Sequence, residues 1–512
     1  MNGKPALRVL QIGAIAVVVA VTTFHAFELD RFFTPKELVL HLTAVLGGLF
    51  ALRGVRQLAA TRADRLLLGY LALSALSALL ATNRWLSFRA LAISASALLL
   101  FWIARALREA GLAHALLNAL ALAVVLVAVT SLLQTYGLET ELFSVSRSPG
   151  GTLGNRNFVA HAAAFGLPLV LLAALRGSRA ATFGIALVVG TLVLTRSRAA
   201  WLAFVIVLLV MIAAMMVSPP LRRDGRTWRR LAAIALIAGC GVLAALLLPN
   251  ALHWRSDNPY LETVKRVADY QQGSGHGRLV QYQSSLRMAL HHPILGVGPG
   301  NWPVVYPAHV SRRDPSMSES EAGVTSNPWP SSDWIAFISE RGAIATALLL
   351  LAILTIGIGG LRQLCAAGDA EQGLAAVALL GTVAGAGVAG AFDAVLLIAL
   401  PALIVWTALG ALWIPAPGMR PIPTVAIATL LVLGAAGAVR TTTQLLAMQI
   451  YTTQSDRAML ERAAFLDPGN YRLQLRLARS GRRAQRCEHA RAAHALFPSA
   501  EAAIAAARGC GR

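Results

Sequence analysis

Apolar runs of about twenty residues recur along the whole chain, and no other feature narrows its possible folds as much. A backbone that crosses a bilayer must satisfy its own hydrogen bonds, and a helix of about 20 residues does so while spanning the hydrocarbon. Candidate spans fall near 8–26, 38–55, 65–82, 88–106, 113–134, 158–175, 180–195, 199–217, 231–249, 333–357, 372–391, 394–413 and 422–440. Of the 512 residues, 56% are hydrophobic and only 13% charged, against about 25% charged in an ordinary soluble protein. The expected fold class is therefore all-α: a polytopic membrane helical bundle of about 12–13 transmembrane helices. The first run ends in "TTFHAFELD", which has no small-residue cleavage pattern, so it reads as a retained helix and not as a removed signal peptide.

A formal charge of +21 suggests nucleic acid only if the basic residues share a face or a tail. Here they are dispersed between apolar runs, which excludes that partner and makes them topology determinants. With the N-terminus inside, the cytoplasmic connections carry Arg53, Arg56, Arg62 and Arg65, then Arg105 and Arg108, then Arg176 and Arg179, then "LRRDGRTWRR" at 221–230, then Arg362 and Arg420. The outer connections "ELDRFFTPKE" and "GAFDA" are acidic or balanced. An odd number of spans then puts the C-terminus outside.

The division that follows is N-terminal transmembrane helices over 1–249, a periplasmic loop over 250–332, C-terminal transmembrane helices over 333–441 and a periplasmic tail over 442–512. The loop is too long for a connection and holds helices of its own, such as "GRLVQYQSSLRMALHH". In the tail, "LERAAFLDPGN" and "ARAAHALFPSAEA" repeat one pattern, an apolar stripe followed by a proline turn. That pattern resembles a degenerate tetratricopeptide pair, with a plain amphipathic hairpin as the other reading. Cys487 and Cys510 share the tail and form a disulfide if it faces an oxidising compartment; otherwise they are two free thiols. No cysteine or histidine spacing points to a metal.

Charges that break the membrane rules are the candidates for function, because an arginine at mid-bilayer costs roughly 2.5–3.5 kcal/mol. "LVLTRSRAAWLAF" sets Arg196 and Arg198 on the side that should be poor in positive charge, which calls for an anion there. "GTLGNRNFVAHAAAFGLP" puts Asn155, Arg156 and Asn157 at a helix start, where amides and the helix dipole hold anions, or where the asparagines simply cap. "GSGHGRLVQYQSSLRMALHHPILGVGPGNWPVVYP" makes Arg278 the first charged residue of an amphipathic helix, held over the membrane mouth. His291 and His292 fit a helix end, and His309 is a possible base in the loop.

These stretches, together with "SSDWIAFISERGAIATALLLL", resemble the O-antigen ligase and O-antigen polymerase family of polytopic lipid-linked glycan transferases. The resemblance is carried by residues 150 to about 357, with "HPILGVGPGNW" its most specific element. It implies glycan transfer from undecaprenyl diphosphate to an acceptor hydroxyl on lipid A core, on another glycan or on a protein, at the periplasmic face of the bacterial inner membrane. The lipid diphosphate is itself the leaving group, so no cofactor is implied. Arg198 and Arg278 match the family's diphosphate-binding arginines; Arg196, Arg156 and Asn155 are neighbours expected to help bind it. Membrane lipid, and a protein partner engaged through the tail, complete the expected partners.

Ligases of the family carry a histidine in a His-Asn-Asp or similar run before the helix that follows the long loop, and Ser331 stands in its place here. Three routes are open. Asp333 accepts the proton itself, or His309 or His276 folds over the site, or the chain binds lipid-linked glycan without transferring it. For Ser331, Ser332 and Asp333, capping of the next helix is the competing reading. A polysaccharide transporter component is the rival from another class, although the unusual charges cluster at the outer mouth and not deep in the spans.

Overall fold

The computed structural model describes residues 3–52, 58–254, 256, 258–265, 273–413 and 421–510. Arg53, Arg56 and Arg420, expected among the inner-loop charges, lie outside the described residues. The N-terminal membrane half comprises α1 (Lys4–Val19), α2 (Asp30–Leu52), α3 (Arg62–Leu79), α4 (Arg84–Glu109), α5 (Ala113–Thr135), α6 (Arg156–Leu175), α7 (Arg179–Leu194), α8 (Arg198–Val217) and α9 (Gly225–Leu247). After a loop that holds α10 (Gly273–His291) come α11 (Asp333–Cys365), α12 (Ala370–Ala389), α13 (Ala399–Leu412) and α14 (Thr424–Thr453). Each expected apolar run is met by one of these helices.

By length and apolarity, α4, α5, α6, α8, α9, α11, α12 and α14 can cross a membrane, while α7 and α13 are apolar but shorter. Helices α1, α2 and α3 are part of the same bundle: α1 packs on α2, α2 on α4 and α14, and α3 on α11. One continuous buried core runs through them, with Trp102 and Phe165 at its centre. Among the described residues no β-strand forms, and the protein is an all-α polytopic helical bundle.

Three boundaries differ from the hydropathy pattern for identifiable reasons. Helix α2 starts at Asp30, well before the expected 38, and so contains Pro35. A proline cannot donate to the carbonyl four residues back; here that carbonyl, Arg31 O, accepts instead from the Thr22 amide at 3.0 Å. Helix α14 continues to Thr453 although its apolarity fades near 440, because it stays packed in the molecule: Arg440, Thr441 and Gln444 are buried, and Arg440 donates to Gln444 Oε1 at 2.8 Å. The tail's own helices therefore begin at Arg457. Arg105, expected among the loop charges, is buried inside α4, where it meets Asp64 at 2.7 Å; the indole of Trp102 donates to the same carboxylate.

Helix α11 is broken by Gly342, whose φ of 80° and ψ of 169° suit only glycine. The segment after α10 fills the break. Amides of Val297 and Gly298 donate to the freed carbonyls of Ser339 and Glu340 at 3.0 and 2.9 Å, and the Ala343 amide donates to Pro293 O at 2.9 Å. The Glu340 carboxylate accepts from the Gly300 and Trp302 amides at 2.8 and 3.1 Å. A methyl group on Gly342 would lie 2.0 Å from Ile294 O. "HPILGVGPGNW" is thus the wedge that fixes a kinked membrane helix, and it ties α10 to α11.

The tail folds as α15 (Arg457–Leu466), α16 (Tyr471–Ala478), α17 (Arg483–Leu496) and α18 (Glu501–Arg508). Cys487 and Cys510 are joined, with Cα atoms 5.3 Å apart. The tail is tied to the rest of the molecule at several points. Asn83 Nδ2 donates to Gly469 O at 3.2 Å, the Glu501 amide donates to Ala322 O at 3.0 Å, and Arg472 pairs with Glu321 at 2.9 Å.

Candidate functional site

Arg156, Arg196, Arg198 and Arg278 line one cleft of about 1900 Å³. They come from different elements: Arg156 opens α6, Arg196 and Arg198 flank the turn between α7 and α8, and Arg278 sits near the start of α10. Arg196 has a φ of 53°, a left-handed conformation that non-glycine residues hold only where the surroundings enforce it. Its Nε donates to Thr263 Oγ1 at 2.9 Å, and Glu262 lies 3.9 Å from the guanidinium. Trp254 is shared: the Arg196 and Arg156 guanidiniums lie 4.6 and 5.1 Å from its ring centre. Burial pushes the Arg196 guanidinium below its ordinary pKa, with Glu262 and Tyr260 opposing. A partly buried cation of this kind gains most when an anion joins it. Four glutamates, Glu28, Glu139, Glu141 and Glu262, also line the cleft.

The other sequence candidates lie elsewhere. Asp333 is fully buried and lines neither this cleft nor the one described below. Its carboxylate accepts from the Val395 amide at 3.0 Å and the Leu396 amide at 2.8 Å, while its own amide donates to Gly390 O at 2.7 Å. The helix cap is Ser332, whose hydroxyl accepts from the Ile335 amide at 3.4 Å. Asp333 therefore clamps the α12–α13 connection onto the start of α11. Ser331 offers its carbonyl to Tyr282 Oη at 2.6 Å.

Asn155 caps α6 by accepting from the Asn157 amide at 2.9 Å. His309 stacks near His291, ring centres 5.5 Å apart, and is outside both clefts. Burial and then the neighbouring His291 and His292 hold its pKa below the ordinary imidazole value. His276 is exposed on α10. Among the described residues, no group of three or more His, Cys, Asp or Glu is positioned for a metal ion.

A second cleft, of about 490 Å³, is lined by α2, α4, α11 and α14 together with the 318–329 segment and the tail. Both clefts include Glu28 and Ser146 in their walls. Arg31 builds that junction: buried, it pairs with Glu28 at 2.9 Å and donates to the carbonyls of Glu141 at 2.6 Å and Phe143 at 3.3 Å. Ser144 Oγ completes the contact by donating to Glu28 at 2.9 Å. In sequence, "ELDRFFTPKE" reads as an ordinary balanced connection, and the one signal for Glu28 is the density of charge beside a span.

Fold and site together define a polytopic all-α membrane protein with an arginine-lined cleft at one end of its bundle. Residues 182–350 match the family model described as O-Antigen ligase (Wzy_C). Over that segment, roughly a third of the 512 residues, the chain is similar to the O-antigen ligases, in accord with the motifs at 192–204, 278–302 and 331–350. The family implies glycan transfer between a lipid-linked substrate and an acceptor in general terms. No curated protein matches the chain.

Proposed function

We propose that the protein is a glycosyltransferase that moves a glycan from an undecaprenyl-diphosphate carrier to an acceptor hydroxyl on the periplasmic face of the bacterial inner membrane. The observation that carries this reading is the meeting of Arg156, Arg196, Arg198 and Arg278 in one cleft. Guanidiniums engage phosphate oxygens through paired hydrogen bonds, and a partly dehydrated cleft strengthens them. In the reaction the acceptor oxygen bonds to the anomeric carbon as the bond from that carbon to the diphosphate oxygen breaks. The electron pair leaves with the diphosphate, and preorganised arginines stabilise the charge that develops there. We assign diphosphate binding to all four arginines, with Arg198 and Arg278 nearest the reaction; Asn155 acts through the α6 start that it caps, and Asp333 is a clamp.

Outward placement of the loop and tail is supported by the alternating helix count and by the Cys487–Cys510 disulfide, since disulfides persist in oxidising compartments. The two successive helix pairs α15–α16 and α17–α18 support a tetratricopeptide-like tail. We keep the same division as part of the proposal, with the tail helices starting at Arg457 after the continuation of α14.

One second reading has an observation behind it. Ser331 occupies the family's histidine position and Asp333 is sealed, which favours a protein that holds lipid-linked glycan without transferring it. Complementation of a strain lacking its own enzyme, scored by glycan ladder, separates the two. Transfer predicts a ladder with the wild type and none with Arg198→Ala or Arg278→Ala. Full ladders from both variants would sink the arginine-cleft model, and no ladder from a well-expressed wild type would favour the binding protein.

A further inference from the structure

We propose that the second cleft binds the acceptor as an oligosaccharide, that the C-terminal tail supplies its outer wall, and that the acceptor hydroxyl meets the donor at Glu28. This rests on the transferase reading and adds the second substrate's site to it. The tail reaches into the cleft with Asp467, Asn470, Tyr471, Arg472 and Phe497, opposite Trp329 of the loop. Aromatic rings beside fixed polar groups suit a sugar, whose C–H faces lie on rings while its hydroxyls exchange hydrogen bonds with amides and charged groups. The wall is rigid. The Tyr471 and Phe497 rings lie 4.4 Å apart, the Tyr471 hydroxyl donates to Glu321, and Arg472 pairs with the same carboxylate.

Deeper in the cleft, Arg89 pairs with Glu37 at 2.6 Å and Arg440 donates to Gln444 Oε1 at 2.8 Å, so polar partners continue between the membrane helices. The arginine-lined cleft holds the leaving group, and the two clefts share Glu28 and Ser146. A hydroxyl arriving from the tail side and an anomeric carbon arriving from the arginine side therefore meet beside an exposed carboxylate, its side chain 44% accessible. As the acceptor oxygen bonds to the anomeric carbon, its proton passes to a Glu28 carboxylate oxygen and the diphosphate leaves with the bonding pair. Glu28 thereby fills the role that the family's histidine leaves vacant at Ser331.

The test measures acceptor binding without donor, on the full-length protein in detergent, with two probes: core oligosaccharide released from lipopolysaccharide, and the delipidated repeat-unit oligosaccharide. One of them should bind, and which one separates a ligase from a polymerase. Arg472→Ala and Phe497→Ala should each weaken binding tenfold or more. In a Cys240→Ser, Cys365→Ser background, Ser320→Cys at the cleft rim should be shielded from a maleimide by the bound oligosaccharide, a readout that does not depend on the tail variants folding well. Arg198→Ala should bind acceptor normally and fail to transfer. Glu28→Gln should bind within twofold and lose at least a hundredfold in transfer. Binding of neither oligosaccharide, as a protein acceptor would give, or no shielding of residue 320, overturns the acceptor cleft. Unimpaired transfer by Glu28→Gln overturns the role of that carboxylate, whereas normal transfer by Arg198→Ala would strike the donor reading and leave the binding result standing.

Discussion

Arg198 and Asp333 are both site candidates from sequence, and their surroundings separate them. Arg198 lines an open cleft with Arg156, Arg196 and Arg278, while Asp333 has no exposure and accepts from two backbone amides. Replacing Arg198 or Arg278 by alanine should cost about 2.7–4 kcal/mol of transition-state stabilisation, a loss of about 10²–10³ in rate, by analogy with removal of one oxyanion donor. Glycan transfer by purified variants against wild type measures it. Asp333→Asn should act on stability instead. It turns an amide nitrogen, a donor, towards one of the two backbone amides that the carboxyl now serves, and a buried group left unsatisfied costs about 1–3 kcal/mol, so the melting temperature should fall while the folded fraction keeps its activity. Activity lost with the melting temperature unchanged would restore Asp333 to the chemistry. The arginines were legible in sequence because a cation on the wrong side of a membrane is conspicuous. The sealing of Asp333 was not, because a capping acid and a catalytic acid use the same residue type at the same helix position.

Among the elements, α11 and its wedge show how a family motif serves structure. The amides of "GVGPG" and its flanks pair with carbonyls that Gly342 frees inside a membrane helix. Gly342→Ala should cost about 1–3 kcal/mol through its backbone conformation, and more through the 2.0 Å approach to Ile294 O. Thermal unfolding in detergent checks this, and an unchanged midpoint would mean that the kink is not needed. The extents of α2 and α14 escaped the hydropathy pattern for a related reason. Where Thr22 serves the carbonyl left by Pro35, and where buried polar residues of α14 such as Arg440 and Gln444 bond to each other, the helix persists through residues that read as breaks or as solvent-facing loop.

For the whole molecule, the proposed outward placement of the tail and its Cys487–Cys510 disulfide lead to two expectations. A phosphatase fused after Cys510 should be active only outside the cytoplasm, and an active fusion requires the odd crossing count; an inactive fusion with a stable product would reverse the orientation. Reducing Cys487–Cys510, which are 23 residues apart, should destabilise the tail by about 3 kcal/mol in the chain-entropy picture, seen as faster hydrogen exchange over α17 and α18 and slower over none of the membrane helices. By itself the sequence determined that the chain carries many apolar helices fit for a membrane, roughly where each lies, and which arginines stand out beside them. These follow from transfer free energy, which adds along the chain and needs no knowledge of neighbours. Only the tertiary structure decided which charges share a cleft. It sealed Asp333, shared Glu28 and Ser146 between two clefts, and drew Tyr471 and Arg472 of the tail against the loop, because such meetings depend on contacts between residues hundreds of positions apart.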